Sequence, residues 1–291
     1  MKATVFDDRR NVLGEGPVAT GPKNELITWV DLSGKKVRSR HLITGAITEY
    51  ETVEHVSFVI PRKSGGEIIG TANGPLLRDA DGTLHKLPTR EDADGHKASH
   101  AVRWNDAKVS PQGDLFLGTM AYDFKTNAGA LYQLRGDGKH MRRLFGDVTI
   151  SNGLGWTVDG TRMYYIDTSL RCVDIFDVEE REIKNRRTFM IFPESMGSPD
   201  GMSVDANDNL WVAFWMGHAV RCFDGKSGAL LEEISCPAPR ITSCAFGGEN
   251  LDQIVITSAS EDTDLDEYPE AGMIFIASSG IGGQKTALFG A

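Results

Sequence analysis

The sequence predicts an all-β fold, a single six-bladed β-propeller occupying residues 1–291, and three observations carry that prediction. A turn-rich segment followed by a short apolar strand recurs six times, the recurrences are evenly spaced, and the intervening residues read as further strands and tight turns without a long amphipathic helix.

The recurring unit runs VATGPKNELITWVD (18–31), IPRKSGGEIIGTANG (60–74), VSPQGDLFLGTM (109–120), TVDGTRMYYIDT (157–168), VDANDNLWVAFW (204–215) and FGGENLDQIVITSA (246–259). Leu26, Ile68, Leu115, Met163, Leu210 and Ile254 serve as strand anchors, separated by 42, 47, 48, 47 and 44 residues. After each anchor comes a second strand and turn, as in GALYQLRGDGKHMRRLF and HAVRCFDGKSGALLEEI, where alternating apolar and polar residues break at Asp-Gly or Ser-Gly. Such alternation marks an antiparallel meander, and a repeat of this length holds the four strands of one propeller blade. ATVF (3–6) precedes the first repeat and KTALFG (285–290) follows the last, so both are expected in the closing blade, each covering the other's edge. No linker-like composition divides the chain.

Composition narrows the function. Apolar residues make up 40% and glycines number 32, which fits a globular, turn-rich protein rather than a disordered one. A formal charge of −10 with no offsetting Lys/Arg cluster excludes nucleic acid and an anionic membrane as expected partners. The basic run KKVRSR (35–40) reads as a solvated strand face. The N-terminus lacks the apolar core of a signal peptide, and no apolar run has the length of a membrane span, so the expected location is the cytoplasm. Cys172, Cys222, Cys236 and Cys244 form no CxxC pair and read as small buried thiols. Nothing in the sequence specifies an oligomeric state.

Counting back ten or eleven residues from each anchor gives Glu15, Ser57, Asn105, Asn152, Asp200 and Ser243. Equivalent positions in successive blades surround one axis, so these polar side chains are expected to converge at one mouth of the channel, on the segment leading into each innermost strand. Taken singly, GEGP, SNG and SPDG are turn vocabulary; their shared repeat position turns the reading toward function. Glu15 and Asp200 would face each other where solvent is restricted, and a divalent cation would neutralise them. With the Asn152 amide oxygen they make an oxygen-only set suited to Ca²⁺, Mg²⁺ or Mn²⁺, with Zn²⁺ more often taking nitrogen or sulfur.

Other signatures fail. There is no GxSxG elbow, no HExxH and no GxGxxG after a strand. His96 and His100 have helical ligand spacing but sit in a polar loop, residues 88–104, long enough to serve as a substrate lid. DTDLDE (262–267) starts like an EF-hand, yet positions 6 and 12 are Glu267 and Met273 instead of Gly and Glu, so it reads as an acidic surface loop.

LGEGPV, RWNDAKVSPQGDLFLGTM, ISNGLGWTVDGTRMYYIDT, SPDGMSVDANDNLWVAFW and YPEAGMIFI together resemble the gluconolactonase/regucalcin (SMP-30) family, in order and over nearly the whole chain. The resemblance implies a six-bladed propeller with one divalent cation at the channel mouth, Ca²⁺ as the first choice and Zn²⁺, Mn²⁺ or Mg²⁺ as alternatives. It makes Glu15, Asn152 and Asp200 metal ligands, Asp200 also the general base, and Arg103, Asn105 and Asp123 contacts for substrate oxygens, with Asp106 supporting the ring from behind. The expected activity is metal-dependent hydrolysis of a sugar (aldono) lactone. A calcium-binding regulator without turnover, and a propeller hydrolase of phosphotriesters or bulkier lactones, are the competing readings.

Overall fold

The structure, a computed structural model, describes residues 1–95 and 101–290. It holds six four-stranded antiparallel sheets. The first strands of the sheets, Gly14–Thr20, Val56–Pro61, Val102–Val109, Ser151–Trp156, Ser198–Val204 and Ile241–Gly247, contact one another in a closed cycle and so line the axis of a six-bladed β-propeller, blades 1 to 6 in that order. His96 and His100, and the middle of the 88–104 loop, lie outside the described residues. What is described of that loop includes a short helix, Arg90–Asp94, started by a capping box in which Thr89 accepts from the Asp92 backbone.

Apolar alternation explains how the blades join. Large side chains from the first and second strands of neighbouring sheets interdigitate, as where Phe58 and Ile68 of blade 2 meet Trp104, Leu115 and Leu117 of blade 3. The same occurs where Trp211 and Ala213 of blade 5 meet Cys244, Phe246 and Ile254 of blade 6. The six sequence anchors all fall on the second strand of their blade. Five are fully buried, and Leu26, at the start of its strand, is 37% exposed. The innermost strand therefore precedes each anchor: the polar ring lies within that strand, not on a segment leading into it. The four cysteines are free and buried, and burial pushes their thiols up to about 12. No helix among the described residues is long and apolar enough to cross a membrane.

The N-terminal strand Thr4–Asp7 is the outermost strand of blade 6, paired with Ile274–Ser278 in a register that sets Val5 opposite Phe275. KTALFG does not join that blade. Residues 282–290 instead cross the end of the channel where the inner strands finish, opposite the end where the ring lies. This tail bonds to all six blades. Gly282 O accepts from Ala206 N, Gly283 N donates to Leu251 O, and Gln284 Nε2 donates to Trp156 O; Thr286 Oγ1 accepts from Ala19 N, Phe289 N donates to Pro61 O, and Gly290 N donates to Gly113 O. The alternation that resembled a strand is satisfied by packing: Phe289, 5% exposed, sinks into the cluster between blades 2 and 3 with Ala287 beside it.

Candidate active site at the channel mouth

Every inner strand breaks register at one place, and the breaks fall at equivalent positions: between Glu15 and Val18, Val56 and Val59, Trp104 and Ala107, Ser151 and Leu154, Pro199 and Met202, and Ile241 and Ser243. A bulge leaves extra residues unpaired and re-aims their side chains. The ring positions lie within or at the edges of these bulges. The turn-like words SNG and SPDG are thus strand residues, and their glycines answer to a close approach between blades. A Cβ at Gly153 would stand 2.8 Å from Asp200 O, and one at Gly201 would stand 2.3 Å from Ser243 Oγ.

Hydrogen bonds run from blade to blade. Ser57 Oγ donates to Trp104 O (2.7 Å), and Asn105 Nδ2 donates to Ser151 O (2.8 Å) and Asn152 Oδ1 (2.9 Å). Asn152 Nδ2 donates to Thr168 Oγ1 (2.7 Å), which donates to Pro199 O (2.8 Å). Ser203 Oγ donates to Cys244 O (2.7 Å), and Thr242 Oγ1 donates to Gly14 O (2.5 Å). The amide of Asn152 is fixed at both ends by this belt, one residue type at each end deciding which way it points. Arg103 Nη1 joins through Asn105 Oδ1 (2.5 Å) and Trp104 O (3.0 Å).

Electrostatics single out the two carboxylates. Burial, then the charges of Asp200 and Asp106, hold Glu15 well above the usual carboxylate range, against the pull of Arg103. Burial and Asp106 raise Asp200, opposed by Arg103 and the Gly201 N–H. Asp106 is itself raised by burial, with Lys108 and the Ala107 N–H opposing. Arg103 is lowered by burial, and Glu15, Tyr122, Glu261 and Asp200 work the other way.

This donor set fits a hard divalent cation: two carboxylates short of positive charge and a pre-oriented amide oxygen, all oxygen atoms. Among the described residues no group of three or more His, Cys, Asp and Glu forms a metal cage, and with an amide as the third donor the set differs from such a cage. Asp123 is exposed on the turn after strand Leu115–Ala121, next to Tyr122, with its carboxylate accepting from Lys125 N at 3.2 Å.

Three features escaped sequence reasoning. Glu261, raised by burial and then by Asp262, is felt by Arg103; it lies just before the acidic stretch 262–267 read as a surface loop, and no pattern distinguished it from its neighbours. His55 and Tyr122, 3.5 Å apart through Nδ1 and the phenol, come from blades 2 and 3 to the same neighbourhood, and Arg103 lowers His55 after burial does. Lys108 lines the channel below the ring; its apolar and charged neighbours in sequence gave no hint that it faces inward.

Residues 13–260 match the family described as SMP-30/Gluconolactonase/LRE-like region. The chain belongs to that family. Within the SMP-30/gluconolactonase family its relatives include regucalcin of Danio rerio, 36% identical, with 94% of this chain and 93% of the relative covered. A Bacillus subtilis relative named "Putative sugar lactone lactonase YvrE" is 33% identical, with 99% of each chain covered. Among solved structures, a calcium-binding protein, regucalcin, from Agrobacterium tumefaciens superposes with a TM-score of 0.88 at 26% identity, covering 99% of this chain and 97% of its own. The family therefore spans relatives named for lactone hydrolysis and relatives named for calcium.

Proposed function

We propose that the protein hydrolyses a sugar lactone to the open aldonic acid, with one divalent cation, Ca²⁺ first, held by Glu15, Asn152 and Asp200. The observation that carries this reading is the juxtaposition of two charge-starved carboxylates and an oriented amide with the Arg103–Asn105 arm. A bound cation would supply electrophilic polarisation of an ester carbonyl and acidify bound water.

The chain's own residues do the rest. Asp200 takes a proton from the attacking water, whose oxygen adds to the lactone carbonyl carbon; the ring C–O bond then breaks and the proton passes to the departing alkoxide. Burial raises the basicity of Asp200 and the guanidinium of Arg103 restrains it, which leaves a carboxylate able to accept a proton and release it. Arg103 is held through Nη1 by Trp104 O and Asn105 Oδ1, and the fork of its guanidinium is suited to donate to sugar oxygens, with Asn105 locked beside it. Glu261 and Tyr122 flank that arm and extend the polar rim. Asp123, on the turn after Ala121, is proposed to contact a substrate oxygen from the same side as Tyr122.

A calcium-binding regulator without turnover is the second reading, favoured by the names of the regucalcin relatives. It needs the three ligands but neither Arg103 nor Asn105. The deciding experiment is turnover of a panel of aldonolactones by chelator-stripped protein before and after adding Ca²⁺, Mg²⁺, Mn²⁺ or Zn²⁺. Hydrolysis restored by metal and lost in Asp200→Ala supports the lactonase; tight Ca²⁺ binding without turnover supports the regulator. Arg103→Ala is expected to lower kcat/KM by about 10- to 100-fold, mostly through KM, the cost of losing charged hydrogen bonds of about 1.5–3 kcal/mol. A wild-type rate in that variant would exclude Arg103 from substrate binding.

A further inference from the structure

Among the described residues, Lys108 is the inner-strand side chain that bonds to a blade other than its neighbours. The belt described above joins neighbouring blades, whereas Lys108, on the inner strand of blade 3, reaches across the lumen to blade 5. Its Nζ donates to Met202 O at 2.5 Å and approaches Ser203 Oγ at 3.4 Å. Ser203 in turn donates to Cys244 O, so the link continues into blade 6. Both strands joined in this way carry the site. Lys108 lies three residues beyond Asn105 and five beyond Arg103, and Met202 lies two beyond Asp200 on the same strand.

The link stands in a cavity of about 110 Å³ lined by Asp106, Lys108, Trp156, Ser203, Cys244 and Gln284, the part of the channel closed from below by the tail. Burial weakens the ammonium's hold on its proton, and the carboxylate of Asp106 opposes this in part. A charged donor to a backbone carbonyl in such surroundings is short and strong. Strand 198–204 is bulged between Pro199 and Met202, so its own ladder leaves Asp200 unpaired; Thr168 Oγ1 holds the bulge on one side at Pro199 O, and Lys108 Nζ holds it on the other at Met202 O.

We propose that Lys108 is a positioning residue: by tying the strand of Arg103 and Asn105 to the strand of Asp200 across the lumen, it sets the span between the substrate arm and the carboxylate at the cation site. This rests on the reading of Glu15, Asn152 and Asp200 as the cation's ligands.

Charge and geometry predict opposite results for Lys108→Met, which makes the test one of sign. If Lys108 contributed only its charge, removing a positive group near the site would tighten Ca²⁺; if it holds Asp200 in place, removing it weakens Ca²⁺. Calorimetric titration of the metal-free full chain with Ca²⁺ is expected to show Kd rising about tenfold in Lys108→Met, as for residues that orient a ligand from behind. With aldonolactone at saturating Ca²⁺, kcat is expected to fall about tenfold while KM stays within about twofold, since Arg103 and Asn105 are untouched. Should Lys108→Met fail to fold, Lys108→Gln, whose shorter amide cannot span the lumen but can be hydrated in the cavity, gives the same test of sign. A Kd that falls or stays level, with a lowered Tm as the sole effect, overturns the proposal. Ca²⁺ binding without turnover in the wild type would sink the lactonase reading alone; a wild type that binds neither Ca²⁺ nor Mn²⁺ removes the site to be positioned and sinks both.

Discussion

Glu15 and Asp200, the proposed cation ligands, cost the metal-free protein stability when both are charged. Their carboxyls are raised by burial and by neighbouring negative charge, so between the ordinary carboxylate value of about 4 and their raised values the folded state holds more protons than the unfolded state. Stability of the metal-free protein must then fall as pH rises through that window. Thermal unfolding in excess chelator is expected to give a lower Tm at about pH 8 than at about pH 5, with the slope reduced in Glu15→Gln and Asp200→Asn. Each amide should stabilise the metal-free protein at the higher pH by about 1 kcal/mol, a shift of roughly 2–4 °C, and yet lower metal-supported turnover, Asp200→Asn by about 10²- to 10⁴-fold. A pH-independent Tm in chelator would contradict the raised values. At this scale the ring was legible because repeat position becomes angular position around an axis. Glu261 and Lys108 were not, since each acts from outside that position, and Asp123 came from the family resemblance alone, having no place in the repeat.

The strand bulges show why single words of sequence mislead at the level of the element. Pro-Asp-Gly and Ser-Asn-Gly look like connections between strands, and here both are strand, because an unpaired residue and a missing Cβ serve a bulge as well as a turn. What the composition could not convey is the neighbour. Gly201 lies against Ser243 of the next blade, so the glycine is demanded by an inter-blade distance and not by its own φ. Gly201→Ala is therefore expected to cost about 1–3 kcal/mol by overpacking and to weaken Ca²⁺ by displacing Asp200 next door, measured by chemical denaturation and by calorimetry on the same preparation. An unchanged denaturation midpoint would show that the blades have slack there.

For the whole molecule, six even repeats determined six blades, and that much could be counted. The path of the tail could not, because a segment that crosses a channel has no repeat to belong to. Its role is visible in the belt: among the described residues inner-strand side chains bond blade 2 to 3, 3 to 4, 5 to 6 and 6 to 1, with the Thr168 turn completing 4 to 5. Between blades 1 and 2 the tail supplies the inner-strand stitch, Thr286 on one side and Phe289 on the other, while Tyr50 bonds to Glu67 farther out. A chain ending at Gly280 is expected to lose about 5 °C or more in Tm, given about 2–3 kcal/mol for the burial of Phe289 alone, and to expose the underside of Lys108 to solvent. Equal Tm values would make the tail an ornament. The same closure has a consequence for the order of folding. Strand Thr4–Asp7 pairs with Ile274–Ser278, and blade 1 is stitched through Thr286, so the pairings that seal the ring join segments far apart in the sequence, whereas each blade is a meander of neighbouring strands. The local meanders are therefore expected to form before the ring closes, and the proposed cation ligands of blades 1, 4 and 5 to come together only with that last step.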